Sequence, residues 1–224
     1  LLDAARLSRA KILRFKHNSL ESCKKILAEN RKKYNKCLII SETVFSMDGD
    51  LGPVAKLAEL AKEYDAWLLT DDAHGFAIVK NNIAKDFKNH IQLGTLSKTI
   101  GCYGGYVTGS AALADLITTK SRSLIYSTAL PASIIAAAIA AVDYINQHQH
   151  LGEKLLAKTQ DFCRKYKLPY KGSQIIIKEF QTIKDAQKLQ DLLLQHGYLS
   201  ALIKPPTAYT PRIRVSMLLN QNAC

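Results

Sequence analysis

Paired cysteines are the plainest thing this chain lacks. Its five cysteines, Cys23, Cys37, Cys102, Cys163 and Cys224, are odd in number and scattered, and none forms a C-x-x-C pair. That spacing argues against a disulfide framework or a zinc site and for free thiols in a reducing compartment, so a cytoplasmic protein is expected. The six histidines show no metal-ligand spacing, and His148-Gln149-His150 reads as a solvated helix junction. Acidic residues are scarce, 19 against 31 Lys and Arg, which gives a formal net charge of +12. Such basicity can serve nucleic acid. Here, however, the cations gather in helix-like stretches such as Lys24-Lys25 and Arg31-Lys32-Lys33, without the interleaved aromatics of a stacking platform. No nucleic-acid partner is expected. No charged-then-apolar leader opens the chain. The longest apolar run, residues 129–142, is alanine-rich, contains Pro131 and Ser133, and ends at Asp143. It is too short and too weakly apolar to span a bilayer, so a buried helix is expected and no membrane partner.

What is present is ordinary for a globular protein: 224 residues, 47% apolar and 22% charged. Apolar runs of strand length alternate with amphipathic stretches of helix length. Strands are predicted over residues 11–15, 37–40, 66–70, 91–93 and 105–108. A helix over 19–30, capped by Asn18 or Ser19, presents Leu20, Cys23, Ile26 and Leu27 on one face. A second, over 53–64, begins with proline in its first turn. This rhythm predicts an α/β fold, a mostly parallel sheet flanked by helices, with functional residues at the carboxyl ends of strands. After a long helix over 131–147 the pattern changes to a smaller α+β unit. Helices are expected there over 153–166 and 182–195, the latter stopped at Gly197, with strands over 174–180, 198–203 and 212–218. The expected division is a large part, 1–147, and a small C-terminal part, 148–224. Both ends read as cut, since the chain opens without Met and its last strand breaks off at Asn222-Ala223-Cys224.

Lys98 stands out from the other cations. It lies in Leu93-Gly94-Thr95-Leu96-Ser97-Lys98-Thr99-Ile100-Gly101, followed by Gly104-Gly105, a stretch without other charge and rich in hydroxyls and glycine. A lysine amine kept from water can react neutral with a carbonyl, forming a Schiff base, and the surrounding N–H and O–H groups suit a phosphate. Two other strand ends carry chemistry: Glu42-Thr43-Val44-Phe45-Ser46-Met47-Asp48-Gly49-Asp50, and Asp71-Asp72-Ala73-His74-Gly75. Alone, the first is a turn and the second a capped polar loop. Together the three ends deliver a hydroxyl at Ser46, an acid and an imidazole at Asp71 and His74, and an amine at Lys98. Those are the parts needed to hold a pyridine aldehyde phosphate, with the aspartate keeping the ring nitrogen protonated.

In that order these three motifs resemble the α-oxoamine synthases, a family of fold-type I pyridoxal-phosphate enzymes, over essentially the whole chain. The resemblance implies pyridoxal 5'-phosphate as cofactor, held by Lys98, which also acts as base toward the amino acid. It implies Asp71 at the ring nitrogen, His74 and Ser46 near the ring's phenolic oxygen, and Thr95 at the phosphate. It implies a homodimer in which Ser127 and Thr128 reach the neighbouring subunit's phosphate, and Arg214 as the arginine that takes the amino-acid carboxylate. Arg212 shares the Arg214 face by period-2 alternation and competes for that role. Within the family, residues 122–131, Pro205-Pro206-Thr207 and the opening 3–8 resemble the branch that condenses L-alanine with a pimeloyl thioester, carried by CoA or a carrier protein. Decarboxylation then gives 8-amino-7-oxononanoate for biotin synthesis. Branches using glycine with acetyl-CoA, or forming 5-aminolevulinate, share the chemistry. A basic binding protein without catalysis is the remote alternative.

Two positions depart from the family pattern. Lys204 stands where that branch usually has arginine before Pro-Pro-Thr, and residues 207–211 are shorter than usual, so the acyl contacts implied for Lys204 and Thr207 are altered. The family's N-terminal part, with its ring-stacking histidine and phosphate loop, is not in these residues. The piece alone is therefore expected to be inactive.

Overall fold

The computed structural model describes residues 1–220, and Asn222, Ala223 and Cys224 lie outside them. The chain divides into two compact units. The first comprises Leu1–Thr43, Gly52–Ala73 and Asn81–Ala138; the second takes Val44–Leu51, His74–Lys80 and the chain from Ile139 onward.

The first unit holds a four-stranded sheet in the order β1-β2-β3-β4: β1 (Leu38–Glu42), β2 (Trp67–Asp71), β3 (His90–Thr95) and β4 (Gly105–Thr108). The first three strands are parallel and β4 returns antiparallel to β3, so the expected mostly parallel sheet is present. Helix α1 (Leu2–Leu7) opens the chain, and α2 (Leu20–Asn30) and α3 (Val54–Glu63) supply the helices packed against β1 and β2. Ser19 caps α2 by accepting from the Ser22 N–H at 3.1 Å, which settles the choice between Asn18 and Ser19. Cys23 and Leu27 of α2, Leu57, Ala58 and Ala61 of α3, and Ile39 and Leu68 of the strands form one buried cluster. Arg31 closes the far end of α3: its guanidinium donates to the Tyr64 carbonyl at 2.7 Å and to the Asp65 carbonyl and carboxylate. This satisfies terminal acceptors and places a cation at the negative end of the helix dipole.

The second unit is a three-stranded antiparallel sheet, order β5-β7-β6, formed by β5 (Ile175–Glu179), β6 (Ala201–Ile203) and β7 (Arg212–Ser216). Helices α7 (His150–Lys165) and α8 (Ile183–Gln195) accompany it. Leu155, Cys163, Ile176 and Met217 form one core cluster, and Val44, Ile175 and Ile177 another. Ile78 packs on the first and Val79 on the second, so segments 44–51 and 74–80 supply core residues here.

Three expectations need correction. Residues 11–15 form no strand and pair with none among the described residues. Helices α4 (Ala111–Lys120) and α5 (Arg122–Ile125) were not expected, their small and hydroxyl residues giving little periodicity. The alanine-rich run forms helix α6 (Ala132–Gln147) but is not a buried helix within this chain: Ala138 is buried, while Ile135 and Ile139 are 41% and 58% exposed. Composition set its helicity, but burial also needs a neighbouring layer. His148 lies between α6 and α7 as expected, its ring stacked on Tyr144 at 3.9 Å. The described cysteines are free thiols, and no described helix is long and apolar enough to cross a membrane.

Leu68 is fully buried at the centre of the first cluster, whereas Leu199 is 84% exposed. Leu68→Ala is expected to cost about 2–5 kcal/mol in urea unfolding of the full-length protein. Leu199→Ala should stay within about 0.5 kcal/mol.

Candidate functional site

The carboxyl ends of β1, β2 and β3 are drawn together by one acid. Asp72, just past β2, is 5% exposed, with Leu68 and Thr70 of the strand also buried at period-2 spacing. Its carboxylate accepts from Thr43 Oγ1 and Gln92 Nε2, each at 2.5 Å, and its N–H donates to the Leu93 carbonyl at 2.7 Å. Burial pushes the Asp72 carboxyl up, the two hydrogen bonds pull it down, and neighbouring Asp71 adds to the rise. Asp71 itself ends β2 and is half-buried. Its Oδ1 accepts from the Ala73 N–H at 2.9 Å, and Oδ2 has no protein partner among the described residues. A carboxylate so held, with one oxygen open, fits the protonated nitrogen of a pyridine ring. Tyr106 of β4 completes the setting: burial, then the charges of Asp72 and Asp71, push its phenol up to about 12, so it stays a neutral hydroxyl. A Cβ on Gly94 would lie 2.5 Å from the Tyr106 hydroxyl oxygen, which is why that position in the lysine motif is glycine. His90 also titrates low, from burial, and its Nε2 lies 2.8 Å from Thr70 Oγ1.

Thr95 ends β3 and organises the loop after it. Its hydroxyl donates to the Gly104 carbonyl at 3.2 Å and accepts from the Ser97 N–H at 3.1 Å, with Ser97 Oγ at 2.7 Å. Leu96 N–H also donates to Gly104 and Cys102 N–H to Leu96. Lys98 sits at the tip of the turn so formed, its carbonyl accepting from Gly101 N–H at 2.9 Å. Residues 97–99 are exposed in this chain while Ile100 is buried, so the water-poor setting read from the motif is not supplied by the described residues. Thr95 and Asp71 thus stand at neighbouring strand ends, with Asp71 paired to Leu93 in the register. Ser127 and Thr128 follow α5 on an exposed stretch, where the Ser127 hydroxyl donates to the Ser123 carbonyl.

The second unit carries the other candidates. Ser46 is half-buried in a turn over 46–48, bounded by the Val44–Leu51 bridge. His74 is half-buried, its carbonyl accepting from Gln174 Nε2 at 3.0 Å. On β7, Arg214 is half-buried; its Nε has no hydrogen-bond partner among the described residues, and burial draws its pKa down. Arg212 is 7% exposed and ion-paired to Asp48 and Glu179. Lys204 and Thr207 are exposed on the loop before β7, with Thr207 N–H donating to the Lys204 carbonyl at 3.0 Å. Asp72 and Tyr106 escaped the sequence reading. The signal for Asp72 was available, since period 2 places it on the face of Leu68 and Thr70.

The family model for aminotransferase class I and II matches residues 1–224. The chain is similar to 8-amino-7-oxononanoate synthase of Granulibacter bethesdensis, 39% identical over 95% of this chain and 56% of the relative. The enzyme of that name from Methylocella silvestris is 40% identical over 96% of this chain and 63% of its own length. The chain therefore spans about three fifths of these relatives. Among solved structures, the serine palmitoyltransferase of Sphingomonas wittichii has a TM-score of 0.86 at 24% identity, covering 99% of this chain and 59% of that one. The 8-amino-7-oxononanoate synthase of Francisella tularensis has a TM-score of 0.79 at 25% identity, covering 99% and 67%.

Removing the Thr43 donor should raise Asp72 further and leave its anion under-satisfied. Because the folded value lies above the ordinary one, the native state holds the proton to higher pH. Stability from this group therefore falls as pH rises from the usual carboxylate range through the raised folded value. Thr43→Val is expected to cost about 1–3 kcal/mol at neutral pH, and less in acid where Asp72 is protonated. Denaturant unfolding at two pH values measures the difference.

Proposed function

Because this chain belongs to the aminotransferase class I and II family, we propose that the whole protein is a pyridoxal-phosphate-dependent acyltransferase. It would join L-alanine to a pimeloyl thioester, carried by CoA or a carrier protein, with loss of carbon dioxide, giving 8-amino-7-oxononanoate for biotin synthesis. The observation that carries the chemistry is Asp71: a half-buried carboxylate at a strand end, with Oδ2 unengaged, beside the strand end that leads to Lys98. The branch is supported by 39–40% identity to relatives named 8-amino-7-oxononanoate synthase.

Bound pyridoxal phosphate supplies an aldehyde for a lysine amine and a ring that accepts electron density from the amino-acid α-carbon. This chain's residues then have distinct tasks. Lys98 Nζ would hold the cofactor and would serve as the base toward the alanine α-proton. Asp71 keeps the ring nitrogen protonated through Oδ2. Ser46 and His74 orient the ring at its phenolic oxygen, and Thr95 serves the phosphate. Arg214 offers a planar fork to the amino-acid carboxylate. It suits that task better than Arg212, whose guanidinium is taken by Asp48 and Glu179. Lys204 and Thr207 serve the acyl substrate. Ser127 and Thr128, on their exposed stretch, reach the cofactor phosphate of a second copy in a homodimer. The division into a cofactor-binding part, 1–147, and a C-terminal part, 148–224, belongs to the same reading, as does a reducing, cytoplasmic setting for the free thiols.

Full-length protein mixed with pyridoxal phosphate should show the absorbance band of a lysine–aldehyde linkage, and Lys98→Ala should lose it. An unchanged spectrum in the variant would sink the assignment. Arg214→Ala should raise the alanine KM about 10–100-fold, the loss of charge-assisted hydrogen bonds to a carboxylate. A clear preference for glycine over alanine in a substrate panel would overturn the branch.

A further inference from the structure

The two arginines on one face of β7 have opposite electrostatic situations. Every nitrogen of the Arg212 guanidinium is occupied. Nη1 donates to Asp48 Oδ1 at 2.8 Å and to the Met47 carbonyl at 3.2 Å. Nη2 pairs with Glu179 Oε1 at 3.1 Å and donates to Thr210 Oγ1 at 3.2 Å, while Nε points to the Thr210 carbonyl at 3.5 Å. Two carboxylates therefore more than neutralise Arg212. The Arg214 guanidinium, two residues along, has neither an ion pair nor a hydrogen bond among the described residues, and its Nε is buried. A ligand carboxylate entering here finds one arginine open and the other closed.

The groups that close Arg212 belong to the turn carrying Ser46. Met47 and Asp48 are its next residues, and the turn is gripped again at Gly49, whose carbonyl accepts from the buried Ser173 hydroxyl at 2.7 Å. Gly49 has φ +69°, and a Cβ there would lie 2.6 Å from the Ile175 carbonyl oxygen, so the turn lies directly on the first residue of β5. Within itself the turn is closed by Phe45 N–H to the Asp50 carbonyl at 2.9 Å, Gly49 N–H to the Phe45 carbonyl at 2.8 Å, and a longer bond from Asp48 N–H to the Phe45 carbonyl at 3.4 Å. From outside it is held by Ser173, just before β5, and by Arg212 of β7.

We infer that Arg212 is a positioning residue: it clamps the Met47–Asp48 turn to β7, so that Ser46 and Arg214 are presented as one rigid piece, and it binds no substrate carboxylate. This rests on the reading above, in which Arg214 takes the carboxylate and Ser46 meets the cofactor ring. Neutralising Arg212 keeps a second free cation away from the substrate, and the clamp fixes the spacing between the Ser46 hydroxyl and the Arg214 fork.

The test uses the full-length protein, four single variants, Arg212→Lys, Arg212→Gln, Asp48→Asn and Arg214→Lys, and the double variant of Arg212→Lys with Asp48→Asn. In the cofactor-free protein, amide hydrogen exchange over residues 45–50 should quicken about tenfold in Arg212→Gln and Asp48→Asn, and stay unchanged in Arg214→Lys. With cofactor and substrates, Arg214→Lys should raise the amino-acid KM about tenfold or more. Arg212→Lys should lower kcat with that KM within about twofold, shift the cofactor absorbance, and gain nothing further from added Asp48→Asn. Should Arg212→Gln not fold, Asp48→Asn carries the exchange arm alone. The inference is overturned if Arg212→Lys raises the amino-acid KM as Arg214→Lys does, or if exchange over 45–50 is unmoved in Asp48→Asn. Failure of the underlying reading looks different: no cofactor band in the unaltered protein, with the exchange result still deciding the clamp.

Discussion

A buried anion has to be satisfied, and that requirement organises the carboxyl edge of the main sheet. Asp72 carries its charge at 5% exposure. Such a group is costly unless donors reach it. The donors come from beyond β1, as Thr43, and from within β3, as Gln92. Satisfying one carboxylate thereby fixes three consecutive strand ends against each other. The neighbouring Asp71, tied by the same peptide, has its place decided by how Asp72 is held. Burial first, and the charges of Asp72 and Asp71 after it, keep the Tyr106 phenol neutral, leaving a hydroxyl beside the acids.

The second unit solves a different problem with the same means. It carries two arginines on one face of β7, one of them closed by ion pairs. Adjacent same-face arginines would repel if both stayed open. Asp48 and Glu179 remove one from competition.

Much of this was legible in the residues, for identifiable reasons. Strands β1 to β3 announced themselves because their apolar runs end in charged or hydroxyl residues. Ser19 and Gly197 punctuated helices through known capping chemistry. The order Ser46, Asp71, His74, Lys98 named the cofactor class before any geometry. What stayed hidden depended on long-range partners. Nothing local in Arg212-Ile213-Arg214 says which arginine will be neutralised, since Asp48 lies 164 residues away. Residues 11–15 look like a strand by composition, yet a strand exists only where a neighbour offers hydrogen bonds. The apolar run of α6 shows the converse: local sequence made the helix, and burial was not local sequence's to give.

The borrowing of segments 44–51 and 74–80 by the second unit bears on how the chain reaches its final shape. Ser173 meets Gly49 across 124 residues and Gln174 meets His74 across 100. Closing loops of that length carries an entropic cost that short-range contacts do not. The three-stranded sheet can pair from its own residues, but Val44, Ile78 and Val79 must arrive from far upstream before its core is filled. The smaller unit is therefore not a module that can be cut from the chain as one contiguous piece. Its core is complete only once the turns that leave β1 and β2 are in place.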